Sequence, residues 1–110
     1  MAEQTSDAPI LDLLTTMNVA GVEASSLDPQ SLMLVRIAAL VAMDAAPISY
    51  ILNLKMAGDV DVDAEQIEGL LAAIAPIVGS ARIASAASKL VRALELEINL
   101  AELDAQAQQA

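Results

Sequence analysis

Cysteine and histidine are both absent from the 110-residue sequence, and their absence excludes more chemistry than any other feature of the chain. Without a thiol, the chain forms no disulfide and has no thiolate nucleophile, which excludes thiol peroxidase and disulfide reductase activity. Without an imidazole, it has no Ser-His-Asp triad and no zinc site built from cysteine and histidine. We therefore assign no catalytic residue, and we expect neither a metal ion nor another cofactor.

Aromatic residues are almost absent as well, since Tyr50 stands without any phenylalanine or tryptophan. Hydrophobic residues nevertheless make up 56% of the chain, with 23 alanines and 16 leucines supplying most of them. Alanine and leucine are strong helix formers, whereas the aromatic and β-branched residues that favour strands are scarce or scattered. The composition therefore predicts an all-α fold, and the length predicts one domain.

Basic residues are few, because five lysines and arginines stand against fifteen aspartates and glutamates, a formal net charge of −10. Phosphate backbones and anionic membrane surfaces bind clustered positive charge, so we expect neither nucleic acid nor a membrane as a partner. No apolar run approaches the ~20 residues of a membrane-spanning helix, and the first eight residues lack the pattern of a signal peptide. We therefore expect a cytoplasmic protein.

Helix signals begin at Pro9, which precedes a short amphipathic helix predicted at residues 10–17. A break is predicted at residues 18–26, because this stretch contains Gly21 and two serines.

Two long helices follow at residues 29–43 and 47–57, each with a proline at its first position. Asp28 is placed to cap the first of them, and Gly58 ends the second. Apolar residues cover nearly every face of both helices, which is typical of helices buried on all sides. Because so small a domain can enclose few such helices, we expect neighbouring subunits to cover them.

The second half of the chain contains two further helices. The first of these two helices begins after Asp63, which has the spacing of a capping box with Gln66. Pro76 and Gly79 are expected to end or kink this helix. The last and longest helix is predicted at residues 80–105 from apolar residues spaced by three and four.

The domain boundaries follow from these five helices. Residues 1–8 are predicted to form a flexible tail, residues 9–105 a single helical domain, and residues 106–110 a frayed end. No linker is long enough to divide the chain.

The order of these signals resembles that of a known family. Leu-Asp-Pro at residues 27–29 opens the first long helix, Gly58 closes the second, and residues 64–79 read AEQIEGLLAAIAPIVG before Arg82. Over residues 27–94 this pattern is similar to the carboxymuconolactone decarboxylase family, which also contains the alkylhydroperoxidase D-like proteins. The resemblance implies a compact bundle of about five helices with a long C-terminal helix, assembled as trimers or hexamers.

The chemistry of that family cannot be transferred to this chain. Its peroxidase branch uses a C-x-x-C pair followed by a histidine at the junction of the two central helices, and its decarboxylase branch also relies on histidine. Tyr50 stands at the histidine position when residues are counted back from Gly58, and Leu52 stands there when they are counted forward from residues 27–29. Neither alignment supplies a catalytic group.

Three residues are candidates for ligand binding: Arg36, Tyr50 and Asn53. Arg36 interrupts an apolar helix, and its guanidinium either pairs with Asp44, another carboxylate or backbone carbonyls, or anchors a carboxylate ligand. Tyr50 is either a core residue with a satisfied hydroxyl or a proton donor. Asn53 forms a polar edge with Ser49 that is either solvated or part of a site.

A calcium site is not expected in the acidic turn that contains Asp59, Asp61 and Asp63. An EF-hand loop requires glycine at its sixth position and glutamate at its twelfth, where this chain has Ala64 and Leu70.

Three functions remain open from the sequence. The first is a homo-oligomer without the family's thiol and histidine machinery that binds a small ligand, such as a carboxylic acid, or acts structurally. The second is a lyase or isomerase on the same fold that uses Arg36 and Tyr50. The third is an interaction module whose last helix docks another helix through its heptad pattern.

Overall fold

The computed structural model describes residues 8–109, with side chains described as far as residue 94 and at Gln106. This part of the chain contains no strand and folds as five helices: α1 (Pro9–Ala24), α2 (Pro29–Ala42), α3 (Pro47–Asp59), α4 (Ala64–Val78) and α5 (Ser80–Gln109). The predicted all-α bundle with a long last helix is confirmed. The predictions for residues 1–7 and for residue 110 lie outside the described residues.

The first helix is longer than the sequence predicted. The break expected at residues 18–26 is wrong, because α1 continues through Gly21 and ends only at Ala24. A single glycine costs a helix about 1 kcal/mol relative to alanine, and the valine, alanine and glutamate residues around it are compatible with a helix. The chain leaves the helix at Ser25, whose N–H donates to the carbonyl of Gly21 at 3.1 Å.

The other helix starts follow their capping signals. The carboxylate of Asp28 accepts a hydrogen bond from the N–H of Ser31 at 3.3 Å, directly before α2. The predicted capping box of α4 is present in both directions, with Asp63 and Gln66 each accepting from the backbone N–H of the other at 2.8 and 2.9 Å. α4 passes through Pro76 and ends at Val78, and the φ of 91° at the following Gly79 favours glycine.

The core lies among α2, α3 and α5, where α3 packs against both of the others. Tyr50, Ile37 and Val41 are its largest fully enclosed side chains. α1 and α4 contribute no buried residue. The two central helices are covered on one side only, since Val35 of α2 is 55% exposed and Leu52 of α3 is 63% exposed. Within the described residues, no helix is long and apolar enough to span a membrane.

Candidate functional site

Polar groups meet at the turn between α2 and α3, where Asp44 is held by two side chains of α5. The Asp44 carboxylate accepts hydrogen bonds from the hydroxyl of Ser85 at 2.8 Å and from the ammonium of Lys89 at 2.9 Å. Beside them, the guanidinium of Arg82 donates to the carbonyl of Ala42, the last residue of α2. We call Asp44, Arg82, Ser85 and Lys89 the corner cluster.

Local structure explains how the corner cluster forms. Residues 82, 85 and 89 are spaced by three and four, which places them on one face of α5. Asp44 adopts a left-handed backbone conformation with a φ of 54°, which aspartate tolerates better than most residues. The turn ends at Pro47, whose fixed φ suits the first position of α3. Arg82 satisfies a carbonyl that would otherwise lack a partner at the end of α2.

The electrostatics of the corner cluster favour a structural tie over an acid-base site. Hydrogen bonds from Lys89 and then Ser85 hold the pKa of Asp44 below its ordinary value of 3.8. A general base acts best with a pKa near the working pH, so a carboxylate held this low is poorly matched to proton abstraction at neutral pH. The side chains of Asp44 and Lys89 are 48% and 25% exposed, so water screens their attraction.

Tyr50 lies in the core beneath this turn. Of its two predicted roles, core residue and proton donor, this position agrees with the first. Its side chain is completely enclosed, but among the described residues its hydroxyl has no hydrogen-bond partner, which differs from the satisfied hydroxyl of the core alternative. Burial raises the pKa of the Tyr50 phenol above 10.0, and the negative charge of Asp44 raises it further. Tyr50 is therefore a neutral phenol at physiological pH.

Arg36 contacts α1 and does not reach Asp44. Its guanidinium donates to the side-chain oxygen of Asn18 and, at 3.2 Å, to the backbone carbonyl of Asn18. The predicted pairing of Arg36 with Asp44 is therefore wrong, because Lys89 and Ser85 donate to that carboxylate instead. The alternative prediction, that Arg36 donates to a backbone carbonyl, agrees with the structure. Both partners of Arg36 are uncharged, and it forms no ion pair among the side chains that the structure describes.

Asn53 is bonded within its own helix. Its side-chain amide donates to the carbonyl of Ser49 at 2.9 Å, and the residue is half-buried. No hydrogen bond joins any two of Arg36, Tyr50 and Asn53, so a common ligand site for the three stays a prediction. A lyase or isomerase that uses Arg36 and Tyr50 together gains no support from these contacts.

The corner cluster was missed by sequence reasoning. Its signal was the polar face of α5, where Arg82, Ser85 and Lys89 follow one another at helical spacing. Their partners lie about 40 residues earlier, Ala42 for Arg82 and Asp44 for Ser85 and Lys89, and only the packing of α5 on the turn brings these groups together. In the described part of the chain, no group of three or more histidine, cysteine, aspartate or glutamate residues could hold a metal ion.

The fold and this corner define an all-α, cysteine-free protein whose two central helices meet at a polar turn. The sequence model of the carboxymuconolactone decarboxylase family matches residues 8–93, and the chain belongs to this family. The absence of cysteine sets it apart from members that use a cysteine pair. No curated protein and no solved structure shows significant similarity to the chain.

Proposed function

We propose that this protein is a homo-oligomeric member of the family without thiol or histidine chemistry, which acts as a structural or small-ligand-binding protein. One observation carries the homo-oligomer: the large apolar residues of α1 are all exposed in the single chain. Ile10, Leu11, Leu13, Leu14 and Met17 are each 53–67% exposed, and α1 contains no buried residue.

The apolar surface of α1 is large enough to matter for assembly. Full burial of a leucine, isoleucine or methionine side chain contributes roughly 1.5–3 kcal/mol, so burying the exposed half of one contributes about 1 kcal/mol. Five such residues contribute about 5 kcal/mol for each α1 that a neighbouring subunit covers. That contribution is comparable with the lower estimates, about 4 kcal/mol, of the free energy lost when two proteins associate.

Light scattering coupled to size-exclusion chromatography tests the homo-oligomer. A constant multiple of the 11.4 kDa protomer mass over a hundredfold dilution into the micromolar range supports it, with three or six copies expected from the family resemblance. A folded monomer throughout that range contradicts it, and circular dichroism at each concentration establishes that the chain is folded.

A small carboxylic acid is the ligand that Arg36 favours. The half-buried guanidinium has two uncharged partners, both on Asn18, and a permanent cation in this setting attracts an anion. A carboxylate matches the planar fork of a guanidinium and can accept two parallel hydrogen bonds from it.

Arg36→Leu tests this ligand, with Arg92→Leu as the matched control because Arg92 is exposed on α5. Small aromatic and aliphatic acids should raise the melting temperature of the wild type and of Arg92→Leu but not that of Arg36→Leu. If no acid stabilises the wild type, or if all three proteins respond equally, Arg36 is not a ligand anchor.

The third alternative, a helix-docking module, depends on the heptad pattern of the last helix. The last three positions of that pattern, residues 98, 101 and 105, have side chains that lie outside the described residues. Docking of a different protein on α5 therefore stays a prediction.

A further inference from the structure

The α1 helix is attached to the rest of the protomer mainly through one residue, Asn18. Within the described residues, every other helix packs closely against at least two more, whereas α1 packs closely against none. Asn18 is half-buried, and all the other residues of α1 are exposed. In the described part of the chain, both hydrogen bonds that join α1 to another helix run from Arg36 of α2 to Asn18. We call these two hydrogen bonds the α1 latch.

Gly21 gives the guanidinium of Arg36 room to lie against α1. It follows Asn18 by about one helical turn, so the two residues lie on the same side of the helix. A Cβ added to Gly21 would lie 3.0 Å from the Nη2 atom of Arg36, which is a tighter contact than a side chain normally makes. The latch therefore accounts for a glycine in the interior of α1, where alanine would favour the helix more.

Apolar packing adds little to the latch. The large apolar residues of α1 are 44–67% exposed, and none of them belongs to the core or to the partly buried layer around it. Val22 lines a cavity of about 170 Å³ together with residues of α2 and α3, so space remains beside the end of α1. Loss of the two hydrogen bonds would leave little to hold α1 against α2.

Asn18 contacts Arg36 in the way that a carboxylate would. Its side-chain oxygen accepts a hydrogen bond from Nη1 of the guanidinium, and its backbone oxygen accepts one from Nη2. The two oxygens of a carboxylate can accept from the same two nitrogen atoms, and they carry the negative charge that asparagine lacks. Hydrogen bonds between two charged groups are stronger than those to a neutral acceptor. A carboxylic acid therefore competes with Asn18 for this edge of the guanidinium.

We propose that a small carboxylic acid bound at Arg36 displaces Asn18 and releases α1 from α2. This inference rests on the proposed carboxylic-acid ligand and adds what its binding does to the fold. Without the acid, Asn18 occupies the binding site, so the latch is an autoinhibitory contact. Since acid binding and α1 attachment exclude each other, each weakens the other by the same factor.

Paired substitutions in α1 test the competition, with benzoate as the acid and isothermal titration calorimetry as the measurement. Asn18→Ala removes the side-chain acceptor, so we expect the dissociation constant of benzoate to fall about tenfold. Asn18→Asp supplies an internal carboxylate, so we expect that constant to rise roughly tenfold or more. Thr16→Ala and Thr16→Asp are the matched controls, because Thr16 is exposed on the opposite side of α1, and both should bind benzoate like the wild type.

The position of α1 is measured directly with two spin labels. Because the chain has no cysteine, Thr16→Cys on α1 and Lys55→Cys on α3 can be labelled specifically, and both positions are exposed. Double electron–electron resonance on labelled chains diluted into unlabelled ones reports the distance within one chain, whether or not the protein is an oligomer. We expect one narrow distance distribution that benzoate shifts and broadens, and that chloride at equal ionic strength leaves unchanged. Adding Asn18→Asp should abolish the response to benzoate.

The outcomes separate this inference from the proposed ligand on which it rests. Benzoate that binds the wild type without changing the distances, or that binds Asn18→Ala no more tightly, contradicts the release of α1 alone. Failure of both the wild type and Asn18→Ala to bind benzoate contradicts the ligand and the release together. Binding to Asn18→Ala but not to the wild type supports both, because the latch then closes the site.

Discussion

Tyr50→Phe is expected to stabilise the protein, because it removes a hydroxyl that is buried without a hydrogen-bond partner in the described part of the chain. The side chain of Tyr50 is fully enclosed, and the phenyl ring of phenylalanine occupies the same space. Burial of an unpaired hydroxyl costs about 1–3 kcal/mol, and that cost disappears with the oxygen. We therefore expect the free energy of unfolding to increase by about 1–3 kcal/mol.

Urea unfolding followed by circular dichroism measures this change, since Tyr50→Phe leaves no tyrosine signal to follow. A gain of 1 kcal/mol corresponds to a rise of roughly 4–8 °C in melting temperature for a domain of about this size. Wild type and variant must be compared at one protomer concentration, because association changes the apparent stability. Tyr50→Ala serves as the control, and we expect it to lose about 3–5 kcal/mol, as other aromatic truncations in cores do.

A lower stability of Tyr50→Phe would refute this reasoning. It would show that the hydroxyl makes a hydrogen bond in solution with a group beyond the described residues, in the same chain, in a second subunit or in an enclosed molecule. Neutral behaviour of Tyr50→Ala would refute the burial of the ring itself.

Three further predictions concern charge and backbone conformation. Asp44→Asn should reduce the acid sensitivity of the fold. The lowered pKa of Asp44 stabilises the wild type above pH 3.8, its ordinary value, and this contribution is lost as the pH falls through the folded-state pKa. Urea midpoints at pH 6 and pH 3 should therefore differ more for the wild type than for the variant, in which asparagine preserves the left-handed backbone. The raised pKa of Tyr50 stabilises the fold fully below pH 10.0, its ordinary value, and this contribution is lost as the pH rises through the folded-state pKa. The absorbance of tyrosinate should therefore appear together with the loss of helical circular dichroism. Tyrosinate absorbance in a chain that is still folded near pH 10 would contradict the buried phenol. Gly79→Ala should lower the free energy of unfolding by about 1–3 kcal/mol, because Gly79 has a φ of 91° and a ψ of 158° that other residues rarely adopt. An unchanged urea midpoint would show that the turn relaxes to accept alanine.

Local signals in the sequence were enough to place the starts of the helices, but not all of their ends. Asp28, Asp63 and Gln66 act within three residues of the amides they cap, so their spacing alone predicts the helix starts. The end of α1 was misplaced because Gly21 was given more weight than the helix-forming residues that follow it.

The side-chain partners could not be predicted in the same way. Arg36 interacts with Asn18, and Lys89 interacts with Asp44, over sequence separations of 18 and 45 residues. Spacing along a helix shows which residues share a face, but it does not show which element packs against that face. The unpaired hydroxyl of Tyr50 likewise depends on what surrounds it in three dimensions.

Native mass spectrometry of freshly purified protein tests the central claim most directly, because it counts subunits and retained small molecules together. We predict a whole-number multiple of the 11.4 kDa protomer, three or six copies, which dissociates when the apolar face of α1 is made polar by Leu13→Ser with Met17→Ser. A folded wild type with the mass of a single chain would contradict the account.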